Sequence, residues 1–128
     1  MTAPIETTKL ISMMQSARQR TLELIAGLTQ DQLLGPKLPT VNPLIWEIGH
    51  VAWFYENFIL RRHLGQAPLL ARGDDLYDSI AIAHEKRWDL PVYPLDEMRD
   101  YMAQVLDTLV DHLGGGLADE RESYLYQF

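Results

Sequence analysis

Asn42-Pro-Leu-Ile-Trp46-Glu-Ile-Gly-His50-Val-Ala-Trp53-Phe-Tyr-Glu-Asn57-Phe-Ile-Leu60-Arg-Arg-His-Leu64 is the stretch that decides the fold. Trp46, His50, Trp53, Asn57, Leu60 and Leu64 recur at spacings of four and three, which is one stripe of an α-helix. Asn42 is expected as its N-cap, accepting a free backbone N–H of the first turn. Pro43 is expected at the first helical position, where its missing N–H costs nothing. Two of the three tryptophans lie on the stripe with His50 between them. An imidazole on so apolar a face needs a partner, because a buried polar group left unpaired costs free energy.

The chain has 128 residues, 47% of them hydrophobic, which suits one domain with one core. Its net charge is −7 and its pI about 4.9. Arg61-Arg62 and Lys86-Arg87 are pairs and not a basic patch, so nucleic acid is not an expected partner. There are no cysteines, so disulfides and thiolate metal sites are excluded. Any metal would need His, Asp or Glu ligands. No apolar run reaches the roughly 18 residues of a membrane span. The N-terminus lacks the basic start and apolar run of a signal peptide, and a cytoplasmic location is expected.

Working outward, residues 5–28 are expected to form the first helix. Its buried side would carry Leu10, Met14, Ala17, Thr21, Leu24 and Leu28, widened by Met13, Leu22 and Ile25. Thr29 reads as the N-cap of a short turn ending near Leu34-Gly35-Pro36, followed by a loop to residue 42. Gly65 is placed to end the central helix. Residues 65–93 are the least regular part, with a short helix expected over 79–87 and extended chain over 88–94. A connection this long is usually functional or an ordered cover. The next long helix starts after Pro94 and buries Leu95, Met98, Met102, Val105, Leu109 and Leu113. Gly114-Gly115-Gly116 would end it, and a last helix would run from about Leu117 through Tyr124, Leu125 and Phe128. No stop signal follows Phe128, so a longer natural chain is expected. These elements indicate an all-α four-helix bundle with a truncated fourth helix.

Bundle cores hold metal sites built from facing helices, and a neutral imidazole is the commonest ligand. His50 is the candidate, against the alternative of a hydrogen-bonded core histidine. His63, His84 and His112 do not form a His-x-x-x-His pair with it. Glu47, at i−3, is either an outer acceptor for the imidazole or a surface charge. Asp74, Asp75 and Asp78 are either oxygen ligands for a divalent cation or a solvated acidic loop. Tyr77, Arg87 and Trp88 are within reach of a pocket if their segment folds over the bundle. Arg87 is the candidate for holding a substrate carboxylate through paired hydrogen bonds.

Trp46-Glu-Ile-Gly-His50-Val-Ala-Trp53-Phe54-Tyr55-Glu56 resembles the Trp-His-Leu-Ala-His-x-x-Trp-Phe-Phe-Glu signature of the DinB-like domain of ergothioneine sulfoxide synthases. The related selenoneine synthases are similar also at Leu76-Tyr77-Asp78-Ser79 and at His84-Glu-Lys-Arg87-Trp88-Asp-Leu90-Pro91, and Tyr124-Leu125-Tyr126-Gln127 resembles the run that opens the family's last bundle helix. Glu47 and Gly49 stand where the signature has His and Ala. The resemblance implies an N-terminal bundle joined to a C-terminal domain like formylglycine-generating enzyme, with the site between them. It implies Fe(II) held by three histidines, of which His50 is the first and the others lie just past Phe128. The implied reaction uses O2 and a thiol or selenosugar donor to form a C–S or C–Se bond at the imidazole C2 of hercynine. Arg87 would take the donor's carboxylate; Met14, Trp46, Trp53 and Phe54 would be packing, and no residue here is assigned as catalytic. The alternatives are a non-catalytic stand-alone bundle and a thiol-dependent metal-binding transferase.

Overall fold

The stretch is helical over residues 44–61, as its periodicity requires, but in two registers. The structure, a computed structural model, describes residues 6–114. The central helix, which we label α3, spans Leu44–Tyr55 and buries Ile45, Trp46, Ile48, Gly49, Ala52 and Trp53. It passes directly into a π-helix over Glu56–Arg61, which buries Glu56, Asn57, Ile59 and Leu60. The wider turn brings two adjacent polar residues inward together, a change of register that the four-three spacing does not encode. Gly65, at φ 73°, takes the left-handed conformation that closes the helix. The Gln66 N–H then reaches back to the Leu60 carbonyl at 2.8 Å.

The expected cap is displaced by one residue. Pro43, not Asn42, is the N-cap, and no side chain caps the helix. The Pro43 carbonyl accepts the Trp46 and Glu47 N–H groups at 3.1 and 2.9 Å. The Asn42 amide instead donates to Glu47 Oε1 at 2.5 Å and accepts from Arg87 Nη1 at 2.8 Å. Bonds to a carboxylate and a guanidinium are stronger than one to a neutral backbone amide, so they win the side chain.

By packing, residues 27–105 form one unit, and residues 6–26 with 106–114 form another among the described residues. In the larger unit Thr29 caps the short helix α2, Gln30–Leu34, through a reciprocal bond with Gln32, as its sequence predicts. The long connection holds a helix that periodicity cannot reveal, α4 at Gly73–Tyr77, five residues long. The helix expected over 79–87 is reduced to a 3-10 turn at His84–Lys86. The Asp78 carboxylate accepts the Ile80 and Ala81 N–H groups at 2.9 and 3.4 Å, a local turn that competes with helix. Trp88 still lies in a turn, with the Asp89 N–H on the Lys86 carbonyl, so the extended stretch begins later than expected. The last described helix, α5, spans Leu95–Gly114, and its first half buries Met98, Tyr101, Met102 and Val105.

In the other unit, the long first helix, α1, spans Thr7–Ile25 and ends three residues before expected. Its inner face runs through Ile11, Met14, Arg18, Leu22 and Ile25, while Ala17 is exposed and Leu24 is 79% exposed. Leu10, Met14, Thr21 and Leu28 of the expected stripe are half-buried, and its exposed members are Ala17 and Leu24, whose places are taken by Arg18 and Ile25. The long Arg18 stem can cover apolar surface on this side. Leu109 and Leu113 of α5 are buried in this unit, as expected. The expected last helix from Leu117 lies outside the described residues. All-α is the observed class: among the described residues there is no strand, only an isolated Leu38–Val41 bridge.

Candidate metal-ligand site

Three ring N–H groups on one face of α3 meet the α4 segment. Trp46 Nε1 donates to the Leu76 carbonyl at 2.7 Å, and Trp53 Nε1 to Asp74 Oδ1 at 2.7 Å. Between them His50 Nδ1 lies 2.8 Å from the Tyr77 carbonyl oxygen. A carbonyl only accepts, so Nδ1 carries the proton and the lone pair of the neutral ring falls on Nε2. The imidazole stacks on Trp46 at 4.7 Å between centroids and 9° between planes, and Trp53 lies 6.3 Å away at 26°. The ring is half-buried. Apolar walls and a fixed tautomer are what a metal-binding histidine requires, since the bond made by one nitrogen sets the basicity and direction of the other.

Glu47 does not hold this imidazole. It accepts from Asn42, and the outer acceptor of His50 is the Tyr77 main chain. The Tyr77 side chain is fully buried, donates to Met98 Sδ at 3.3 Å and accepts the Tyr93 N–H at 3.4 Å. Burial pushes its hydroxyl up to about 12.

The acidic residues of the connection serve internal bonds. Asp74 takes both Arg61 Nη groups at 2.6 and 3.0 Å as well as the Trp53 indole. Those bonds, Arg61's first, hold its carboxyl below the usual carboxylate range. Asp78 closes the turn already described, and Asp75 is exposed. Among the described residues no three His, Asp or Glu side chains gather into a metal cage.

Arg87 lies over the Trp46 ring, 4.2 Å from its centroid. Its Nη1 donates to Asn42, and its Nη2 to the Ser79 and Ile82 carbonyls at 3.0 and 2.9 Å. Nε of Arg87 and Nε1 of Trp88 are buried without an acceptor among the described residues. His84 donates from Nε2 to the Leu38 carbonyl at 2.7 Å and meets the Trp88 ring edge-on. His63 and His112 are half-buried and engaged in other contacts.

One charged residue escaped the sequence reading. Glu56 is 1% exposed, accepts from Tyr101 Oη at 2.5 Å and also takes the Leu69 N–H. Burial, then the neighbouring carboxylate, pushes the Tyr101 hydroxyl far above its ordinary value. Its signal was a carboxylate three residues after Trp53, inside an apolar run.

Fold and site together define an all-α domain built round one aromatic-flanked imidazole of set tautomer. The chain belongs to the DinB superfamily, whose profile matches residues 13–125. It is similar to the hercynine oxygenase of Mycolicibacterium smegmatis, 33% identical over 99 residues, covering 73% of this chain and 23% of that protein. It is also similar to the hercynine oxygenase of Mycobacterium tuberculosis, 30% identical over 112 residues, covering 86% of this chain and 26% of that protein. The chain thus spans about a quarter of the length of these curated relatives. Among the described residues no helix is long and apolar enough to cross a membrane.

Proposed function

We propose that this chain is the N-terminal bundle of a longer non-haem Fe(II), O2-dependent enzyme that forms a C–S or C–Se bond at the imidazole C2 of hercynine. The observation that carries the reading is the His50 imidazole, its Nδ1 proton held by the Tyr77 carbonyl and its Nε2 lone pair available as a ligand. Membership of the DinB superfamily and the two relatives named hercynine oxygenase support it. A neutral imidazole suits ferrous iron, so the residue present fits the group as one ligand of three. The other two histidines, and a C-terminal domain like formylglycine-generating enzyme, belong to the longer protein in this reading.

Iron with open coordination positions supplies the activation of O2 and of the chalcogen donor. The residues here bind and orient. His50 presents Nε2, and Trp46 and Trp53 keep water from the sides of its ring. Arg87 braces the connection over Trp46, and in this reading it is the residue assigned to the donor's carboxylate. Aerobic incubation of the full-length protein with hercynine and either a thiol or a selenosugar donor, read by mass spectrometry, tests the reading. It expects an oxygen-dependent product in which hercynine carries sulfur or selenium. Unconsumed hercynine with every donor of both classes would refute it.

A further inference from the structure

At Gly49 the α3 helix leaves no room for a side chain against Tyr77 at the end of α4. A Cβ at this position would lie 2.3, 2.5 and 2.8 Å from three carbons of the Tyr77 ring. Those distances are far inside van der Waals contact. The ring cannot swing aside easily, because it is fully buried and its hydroxyl is tied to Met98 and to the Tyr93 N–H. Gly49 immediately precedes His50, and Tyr77 is the residue whose carbonyl takes the His50 Nδ1 proton. On either side of this contact Trp46 and Trp53 bond α4 through Leu76 and Asp74. The segment is therefore held at both ends, and the missing side chain at residue 49 sets its depth.

We propose that the Gly49–Tyr77 contact is a positioning device: it seats the Tyr77 main chain so that its carbonyl fixes the Nδ1-protonated tautomer and the ring angle of His50. The inference rests on the reading of His50 as a ligand only for its purpose. Its geometry concerns this chain alone. Free imidazole exchanges between two tautomers of similar energy, so one well-placed acceptor decides which nitrogen is bare. Outer partners of ligating histidines change metal affinity by roughly 10–100-fold when lost. Gly49 and Tyr77 are positioning residues in this account, since neither touches the metal.

The test is long-range 1H–15N NMR of the labelled full-length protein without metal at neutral pH, which separates a protonated from a bare ring nitrogen. Wild-type His50 is expected to show a protonated Nδ1 and a bare Nε2. Gly49→Ala should average the two shifts and weaken Fe(II) binding, titrated anaerobically, by roughly 10-fold or more. Tyr77→Phe keeps the ring and carbonyl and should leave the tautomer unchanged. A wild-type His50 protonated on Nε2 overturns the proposal even if Gly49→Ala fails to fold. A folded Gly49→Ala that keeps the Nδ1 tautomer also overturns it, while leaving His50 free to be a ligand. The expected tautomer change with iron binding indifferent to His50→Ala would support the device and refute the ligand reading instead.

Discussion

Tyr101→Phe removes one oxygen from the interior and should destabilise the protein by about 2–3 kcal/mol. The Glu56 carboxylate is 1% exposed, and its donors among the described residues are the Tyr101 hydroxyl at 2.5 Å and the Leu69 N–H. A hydrogen bond to a charged group contributes roughly 1.5–3 kcal/mol, and stripping one partner from a buried charge costs up to about 5. Phenylalanine keeps the ring and its packing, so the loss belongs to the hydroxyl. Glu56→Gln retains one acceptor oxygen and should cost about 1–2 kcal/mol. The double variant should then show a coupling of at least about 1 kcal/mol. Urea unfolding at pH 7, followed by tryptophan fluorescence, measures all four corners. A Tyr101→Phe change within about 0.5 kcal/mol of wild type, or simple additivity, would refute the idea that this bond locks the π-helix to α5.

The other predictions concern the same framework. Tyr77, raised from 10 to about 12 by burial, contributes stability that is complete below pH 10 and is lost as the pH rises toward 12. At about 1.36 kcal/mol per unit the loss is on the order of 2–3 kcal/mol, and alkaline denaturation curves flattened by Tyr77→Phe would check it. Arg87→Lys gives up the planar stack on Trp46 and at least two of three hydrogen bonds. It should cost about 2 kcal/mol and speed proteolysis within residues 78–90. Asp74→Asn should cost under about 1 kcal/mol, because the carboxylate side chain is 57% exposed. The wild-type contribution of that carboxyl, whose folded value is lowered, is present at neutral pH and is lost on acidification.

The helices that bury a regular stripe were legible in the sequence. Met98, Met102, Val105, Leu109 and Leu113 are buried as their spacing predicts, and Thr29 caps α2 through the reciprocal box its residues spell out. What escaped was structure set by contacts far along the chain. The α4 helix has five residues and no periodicity, and side chains of α3 hold it in place. Asn42 has cap chemistry, but partners five and forty-five residues away claim its amide. The π turn leaves no mark in an apolar count: Asn57 lies on the expected stripe, but Glu56 looks like a surface residue until Tyr101 and Leu69 arrive beside it. The candidate imidazole was legible for a simple reason: His50 sits between two tryptophans on one helical face. Its acceptor, a main-chain carbonyl 27 residues later, was not, since any residue type supplies one.

The central claim is that His50 is an iron ligand, and elemental analysis tests it most directly. The full-length protein and its His50→Ala variant are purified anaerobically, loaded with Fe(II), desalted and assayed for iron per chain. Near-stoichiometric iron in the wild type and little in the variant is the expected result. Equal occupancy in two equally folded proteins would contradict the claim.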